Sequence, residues 1–246
     1  TNVTPNAVIN DTVAVLLSAA YVHGDTKIGA IYATGHNTCY LEPYVGMAQP
    51  PMIINMESGG FRKLLPNRFD AALDEVSEKK GEQRLEKMVA GRYMGALFGM
   101  ALAELMGKAG RAYDFTSIDL SRMLEDTGEK AQAAATIVET VTGEMLSAED
   151  AVRVRGLARS IVARSVRLIA ATFVGTLWQI AGSGEIRRQH IAVDGAVYEK
   201  MPLVKENLTR AFFELLGADA PKVDTILAVG GSGLGAALAA AMTERN

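Results

Sequence analysis

Apolar positions recur along this chain with two different periods, and the change of period divides it into three stretches. Pro5-Asn6 reads as a turn and Ala7 to Ile9 as a short buried strand. Asn10 or Asp11 then stands where a helix N-cap belongs, and Thr12 to about Tyr21 reads as the helix. Three β-rich runs follow, Lys27 to Ala33, Cys39 to Glu42 and Met52 to Met56, separated by Thr34-Gly35-His36-Asn37 and by a loop containing Pro and Gly. Their spacing predicts an antiparallel meander. From Phe69 to about Leu177 the period is helical: Leu85, Met88, Val89 and Tyr93 recur with Ala96 and Leu97, and Ala131 to Val141 and Ala151 to Trp178 repeat the pattern. The last stretch predicts a strand at Ile186 to Val193, a turn at Asp194-Gly195, a helix at Met201 to Leu216, a strand at Thr225 to Val229 and a helix at Gly235 to Met242. Strands, a block of helices and a closing β-α-β-α unit predict an α/β fold with a mixed sheet, enlarged by a helical insertion over about residues 62–185.

Composition narrows the functional classes. At 246 residues there is room for one large domain or two small ones, and 49% hydrophobic with 22% charged residues is ordinary for a folded globular chain. A net charge of −3, without a Lys/Arg run interleaved with aromatics, predicts no nucleic-acid partner. The single Cys39 allows no internal disulfide, and no Cys/His cluster has metal-ligand spacing, so no metal ligand is assigned and a cytoplasmic, reducing location is the expectation. The apolar run Ile161 to Ile180 is broken by Arg164 and Arg167, which predicts no membrane span. The chain opens at Thr1 without Met and reads as a piece of a longer protein.

No nucleophile elbow, Walker A loop, dinucleotide fingerprint or metalloprotease helix is present. The candidate chemistry lies at strand ends and turns: Asn10 and Asp11, Thr34-Gly35-His36-Asn37, Glu57, Gln83 with Glu86, and Gly230-Gly231-Ser232-Gly233. Amides and carboxylates in this proportion suit a polyhydroxylated ligand, because each sugar hydroxyl both donates and accepts. Glycine turns after a strand let backbone N–H groups approach a phosphate. Blander readings stand beside these: Asp11 as a helix cap, Glu57 as a strand-end carboxylate, Gln83 and Glu86 as a solvated helix face, His36 as a turn residue, and the glycines as conformational turns.

Read in order, VINDTVAVLLSAAY, IYATGHNTCYLEP, IINMESGGF, FDAALDEVSEKKGEQRLEKMVAGRYMGAL, AVDGAVYEKMP and GGSGLGAALAAA resemble successive signatures of the eukaryotic-type hexokinase family, from about Val8 to Ala241. The resemblance implies a ribonuclease-H-like fold of the actin-like ATPase class, with a hexose (glucose-like) and ATP as substrates and Mg²⁺ as the accompanying ion. It places Asp11 as the base toward the sugar 6-hydroxyl, with Asn10, Asn37, Glu57, Gln83 and Glu86 as further hexose ligands. Thr34 and Gly35 match the phosphate hairpin, and Gly91, Thr127, Gly231, Ser232 and Gly233 match nucleotide-contacting positions.

The departures from that pattern are specific. Ser58 stands where an aromatic usually follows the glutamate, Ala33 replaces the first glycine of the phosphate hairpin, and Leu234 replaces a common basic residue. Nothing matches the family's first phosphate loop, of the type Asp-x-Gly-Gly-Thr/Ser, or its sugar loop with a Ser and a Thr-Lys pair. The expectation is therefore a large C-terminal domain spanning residues 1–246, whose cleft needs a missing N-terminal small domain and whose exposed apolar surface favours a homo-oligomer. Two functions remain open: a hexose 6-kinase with weak activity in isolation, or a non-catalytic hexose-binding module.

Overall fold

The computed structural model describes residues 5–43 and 51–243. The chain runs α1 Asp11–Val22, β1 Ile28–Tyr32, β2 His36–Glu42, β3 Met52–Asn55, α2 Arg68–Val76, α3 Arg84–Val89, α4 Gly91–Leu105, α5 Ser117–Glu125, α6 Gln132–Thr142, α7 Ala148–Ala181, β4 Gln189–Asp194, α8 Ala196–Lys200, α9 Val204–Leu216, β5 Val223–Leu227 and α10 Gly231–Thr243. Single 3₁₀ turns occupy Ser58–Gly60 and Gly217–Lys222.

One five-stranded sheet has the order β3-β2-β1-β4-β5. β1, β2 and β3 are antiparallel neighbours, whereas β4 and β5 continue parallel to β1. Alternation along the strands separates two cores, as a pleat requires. Ile28, Ala30 and Tyr32 of β1, with Ile191 and Val193 of β4, face the larger cluster, where Phe173 and Leu177 of α7 are fully buried. Ile31 and Ala192 point the other way, against Val15 and Ala19 of α1. Helices therefore cover both faces of the sheet.

The described residues include one helix, α7, long and apolar enough to cross a membrane, and half of its most apolar window is buried inside the fold. It is a core helix of the fold. The guanidinium of Arg164 grips the Asp70 carboxylate at 2.9 and 2.7 Å, tying α2 to α7. α3 is anchored separately. The buried Lys87 ammonium reaches Asp74 at 2.6 Å and the Lys79 carbonyl at 2.5 Å.

Four expectations need correction. Residues 7–9 form no strand: Val8 is 93% exposed and no strand of the sheet pairs with them. The helix expected over Met201 to Leu216 begins only at Val204, as α9, behind a separate short α8, because Pro202 drives Met201 out of the helical region (ψ 121°) and Leu203 turns left-handed (φ 68°). α10 starts at Gly231 rather than Gly235, so Gly231, Ser232 and Gly233 form its first turn, behind a turn at Gly230 (φ 66°). His36 opens β2 and is 3% exposed, so it is a core residue and not a turn residue.

α1 and α10 meet backbone against backbone at Gly235. A Cβ built on Gly235 would lie 1.9 Å from the Ala14 carbonyl oxygen, whereas one on Gly156, exposed midway along α7, would meet nothing within 4 Å. Gly235→Ala is expected to cost about 3 kcal/mol by forcing the helices apart, and Gly156→Ala to gain about 0.5–1 kcal/mol by lowering the entropy of the unfolded chain. Opposite shifts of the urea midpoint check this pair. The Asp74 carboxyl is held below its ordinary value chiefly by the hydrogen bond from Lys87, against the opposing effect of burial. A depressed carboxylate contributes stability that is present above the unfolded pKa of about 3.9 and is lost as pH falls through the lower folded value. Lys87→Met is therefore expected to flatten the acid limb of the stability curve, read from urea midpoints between about pH 6 and pH 3.

Candidate hexose and nucleotide site

Two amides and a carboxylate meet at the paired ends of β2 and β3. Asn55 lies opposite Cys39 in the register, and the pleat puts Asn37, two residues from Cys39, within reach of it. Asn37 Nδ2 donates to Asn55 Oδ1 at 2.8 Å and, at 3.4 Å, to Glu57 Oε1, which also accepts from Asn55 Nδ2 at 2.7 Å. The other end of the Asn37 amide is occupied by backbone, because its Oδ1 accepts from the N–H groups of Thr38 at 2.7 Å and Ser58 at 3.1 Å. Glu57 holds φ 50° and Gln83 holds φ 48°, left-handed values that cost a non-glycine residue about 1–3 kcal/mol.

Glu86 and Gln83 reach the same place from α3. Glu86 Oε2 accepts from the His36 N–H at 3.1 Å. Gln83 Oε1 is buried without a hydrogen-bond partner. Gly59 explains how the turn after Glu57 comes so near. A Cβ there would stand 2.8 Å from the His36 carbonyl oxygen, 3.0 Å from Gln83 Oε1 and 3.1 Å from the Glu86 Cβ.

Asn10 and Asp11 sit at the head of α1. Asn10 is the cap, its Oδ1 accepting from Thr12 N at 2.9 Å and from the Thr12 hydroxyl at 2.6 Å. The exposed Asp11 bonds only locally, to Thr12 N at 2.8 Å. The Thr12 carbonyl takes the Cys39 thiol at 3.1 Å, which fastens this end of α1 to β2. Burial is the main cause pushing that thiol up to about 12, with the nearby Asp11 charge adding to it, so Cys39 is a packing group and not a nucleophile.

The nucleotide candidates line the carboxyl ends of the parallel strands, where open α/β sheets bind ligands. After β1, the hairpin Ala33-Thr34-Gly35 is held to the start of α4: Gly91 N donates to the Ala33 carbonyl at 2.9 Å and Arg92 N to the Thr34 carbonyl at 3.3 Å. Thr34 is exposed at the tip. After β5, Gly231, Ser232 and Gly233 present a helix N-terminus. Thr127 stands on a separate exposed loop. That loop is built by Asp126, which accepts from Gly128 N and Ala133 N at 2.8 Å each, and by Arg155, which donates to the Asp126 and Gly128 carbonyls at 2.5 and 2.7 Å. Among the described residues, neither Thr127 nor Ser232 hydrogen-bonds to the hairpin.

Residues missing from the sequence reading complete the cluster. Asn55 is its hub, and its signal was available: an amide two residues before a carboxylate at a strand end. Thr38 is likewise absent from it, while His36 reads there as a turn residue and Ser58 only as a departure from the family pattern, because their roles depend on contacts between β2 and a turn twenty residues later. Beside them opens a largely apolar cavity of about 910 Å³ that Asn55, Glu57 and Ser58 share with Ile54, Leu168 and Gly175.

The hexokinase family profile matches residues 27–242. Hexokinase-2, chloroplastic, of Nicotiana tabacum is 32% identical over 267 aligned positions, which cover 98% of this chain and 53% of that protein. Hexokinase-1 of Oryza sativa subsp. japonica is 36% identical, with 96% and 53% covered. Among solved structures, a crystal structure of hexokinase shares the fold at a TM-score of 0.82 and 29% identity, over 96% of this chain and 55% of that one. A hexokinase from Schistosoma mansoni complexed with glucose matches at a TM-score of 0.80 and 25% identity, over 96% and 57%. The chain thus spans about half the length of the curated relatives it matches. With the mixed sheet described above, these likenesses give the ribonuclease-H-like, actin-like ATPase fold that the sequence predicts. The chain belongs to the hexokinase family.

Proposed function

We propose that this chain is the large C-terminal domain of an ATP-dependent hexose kinase, with its helical insertion over about residues 62–185 and the facing small domain supplied from outside residues 1–246. The observation that carries the reading is the convergence of Asn37, Asn55, Glu57, Gln83 and Glu86 on one place, with Gln83 Oε1 buried and unpartnered. A buried acceptor without a donor is costly unless a ligand supplies one. Sugar hydroxyls are such donors, and amides and carboxylates can bridge adjacent ones. The glucose in the Schistosoma mansoni hexokinase structure gives the same direction.

In this reading Asn10, Asn37, Glu57, Gln83 and Glu86 orient the hexose. Asp11, exposed at the head of a capped helix, takes the proton of the 6-hydroxyl as that oxygen attacks the γ-phosphorus and ADP departs. Thr34, Gly35, Gly91, Thr127, Gly231, Ser232 and Gly233 receive ATP through backbone N–H groups, hydroxyls and a helix N-terminus. Among the described residues no group of three or more His, Cys, Asp or Glu side chains could hold a metal. A magnesium ion would come in on the ATP phosphates, where it would neutralise their charge. We assign the cytoplasm as the location on the single buried, unpaired Cys39, which suits a reducing compartment.

Calorimetry on the chain is expected to detect glucose, and Glu57→Gln or Glu86→Gln to weaken that binding by about tenfold or more, since each removes a charge-assisted acceptor. Absence of glucose binding by the unsubstituted chain defeats the proposal. A non-catalytic hexose module, favoured by Ala33 and Leu234, requires glucose binding without ATP binding in the same experiment. With the chain joined to the N-terminal half of a hexokinase relative, Asp11→Ala is expected to lower turnover by about 10³-fold. Full turnover of that variant in a coupled assay excludes Asp11 as the base.

A further inference from the structure

His36 belongs to none of the ligand sets above, yet its ring is enclosed. The residue is 3% exposed, Thr38 is fully buried and Ser58 is 6% exposed. His36 Nδ1 lies 3.0 Å from the Ile31 carbonyl, which can only accept, so Nδ1 carries a proton. Burial holds the imidazole down to about 4, which keeps it neutral near pH 7 and leaves Nε2 as an acceptor. The Ser58 hydroxyl, 3.3 Å from Nε2, is the donor within reach. Ser58 Oγ also lies 3.1 Å from Thr38 Oγ1, toward which it is the donor, so its one proton is shared between the imidazole and Thr38. The Tyr32 ring meets the imidazole edge-on, with centroids 6.4 Å apart, and limits its rotation.

One residue therefore touches both hexose carboxylate segments. The His36 N–H bonds Glu86 Oε2, and the His36 ring bonds the residue next to Glu57. Glu57 has a left-handed backbone, so the direction of its side chain depends on what restrains its neighbours. Ser58 is restrained twice, through its N–H on Asn37 Oδ1 and through its hydroxyl on the imidazole.

We propose that His36 is a positioning residue for the hexose: its ring fixes Ser58, and so Glu57, at the distance from Glu86 that one sugar requires. The inference rests on the hexose reading above. Its second member, Ser58, stands where the resemblance to the family leads to an aromatic.

Two isosteric changes separate the two ring nitrogens. His36→Asn keeps a donor near Nδ1 and loses the acceptor for Ser58, whereas His36→Gln keeps an acceptor near Nε2. Calorimetry with glucose on the chain is expected to show affinity lowered by about tenfold in His36→Asn and in Ser58→Ala, no further loss in the double variant, and affinity within about threefold of the original in His36→Gln. ATP affinity is expected to stay within about twofold in all four, which a general loosening of the fold would not allow. Additive losses, or an unchanged glucose affinity in His36→Asn, overturn the proposal while leaving the hexose reading intact. If the unsubstituted chain binds no glucose, both fall together. Should the variants not fold, long-range ¹H–¹⁵N spectra of the unsubstituted chain decide. Glucose must shift an unprotonated His36 Nε2 resonance, and an unresponsive or protonated Nε2 refutes the coupling.

Discussion

The candidate site depends on how closely three short segments can approach one another. The β1–β2 hairpin and the first turn of α3 meet the turn after β3 around its Gly59, where even a methyl group would lie within 3.1 Å of the other two. Such an approach strands polar groups, and each is answered by another segment: the His36 N–H by Glu86, the Ser58 N–H by Asn37 and the Ser58 hydroxyl by the imidazole. Unanswered, each would cost about 1–3 kcal/mol. The exception is Gln83 Oε1, and it faces this same junction.

Backbone strain is distributed in keeping with that crowding. Of the four non-glycine residues with positive φ among the described residues, Glu57 and Gln83 belong to the cluster, while Ala131 and Leu203 begin helices elsewhere. Strain alone therefore does not mark the site. What distinguishes Glu57 and Gln83 is that interlocking contacts between separate segments hold them. α3 could not hold its position without an anchor of its own, and the Lys87 ammonium, with two partners beneath the helix, supplies one.

Much of this architecture was legible in the sequence because period and chemistry agreed there. The three antiparallel strands and the long helix α7 follow from alternation and 3.6-residue spacing, and a cap at Asn10 or Asp11 from its place before an apolar run, which the structure gives to Asn10. Val8 misled because a short apolar triplet carries no information about whether a neighbouring strand exists to pair with it. The helix expected from Met201 failed through Pro202, whose effect falls on the residue before it. Glu57, Gln83 and Glu86 could be nominated from motif order. The bonds that bring them together could not, since His36 and Ser58 are twenty-two residues apart and neither is remarkable in type. Asn55 could be nominated from its place two residues before Glu57, but that it also reaches Asn37 depends on the register of β2 against β3.

The contact between Gly235 and the Ala14 carbonyl has a mechanical side. α1 carries Asp11 at its head and α10 carries Gly231 and Ser232 at its own, and at Gly235 the two are braced backbone against backbone, with no side chain between that glycine and the Ala14 carbonyl. Helices separated by side chains can slide by repacking rotamers, but a pair in direct main-chain contact transmits displacement as a strut does. A push at the first turn of α10 therefore reaches the carboxylate of Asp11 through two turns of rigid helix rather than through a chain of adjustable contacts.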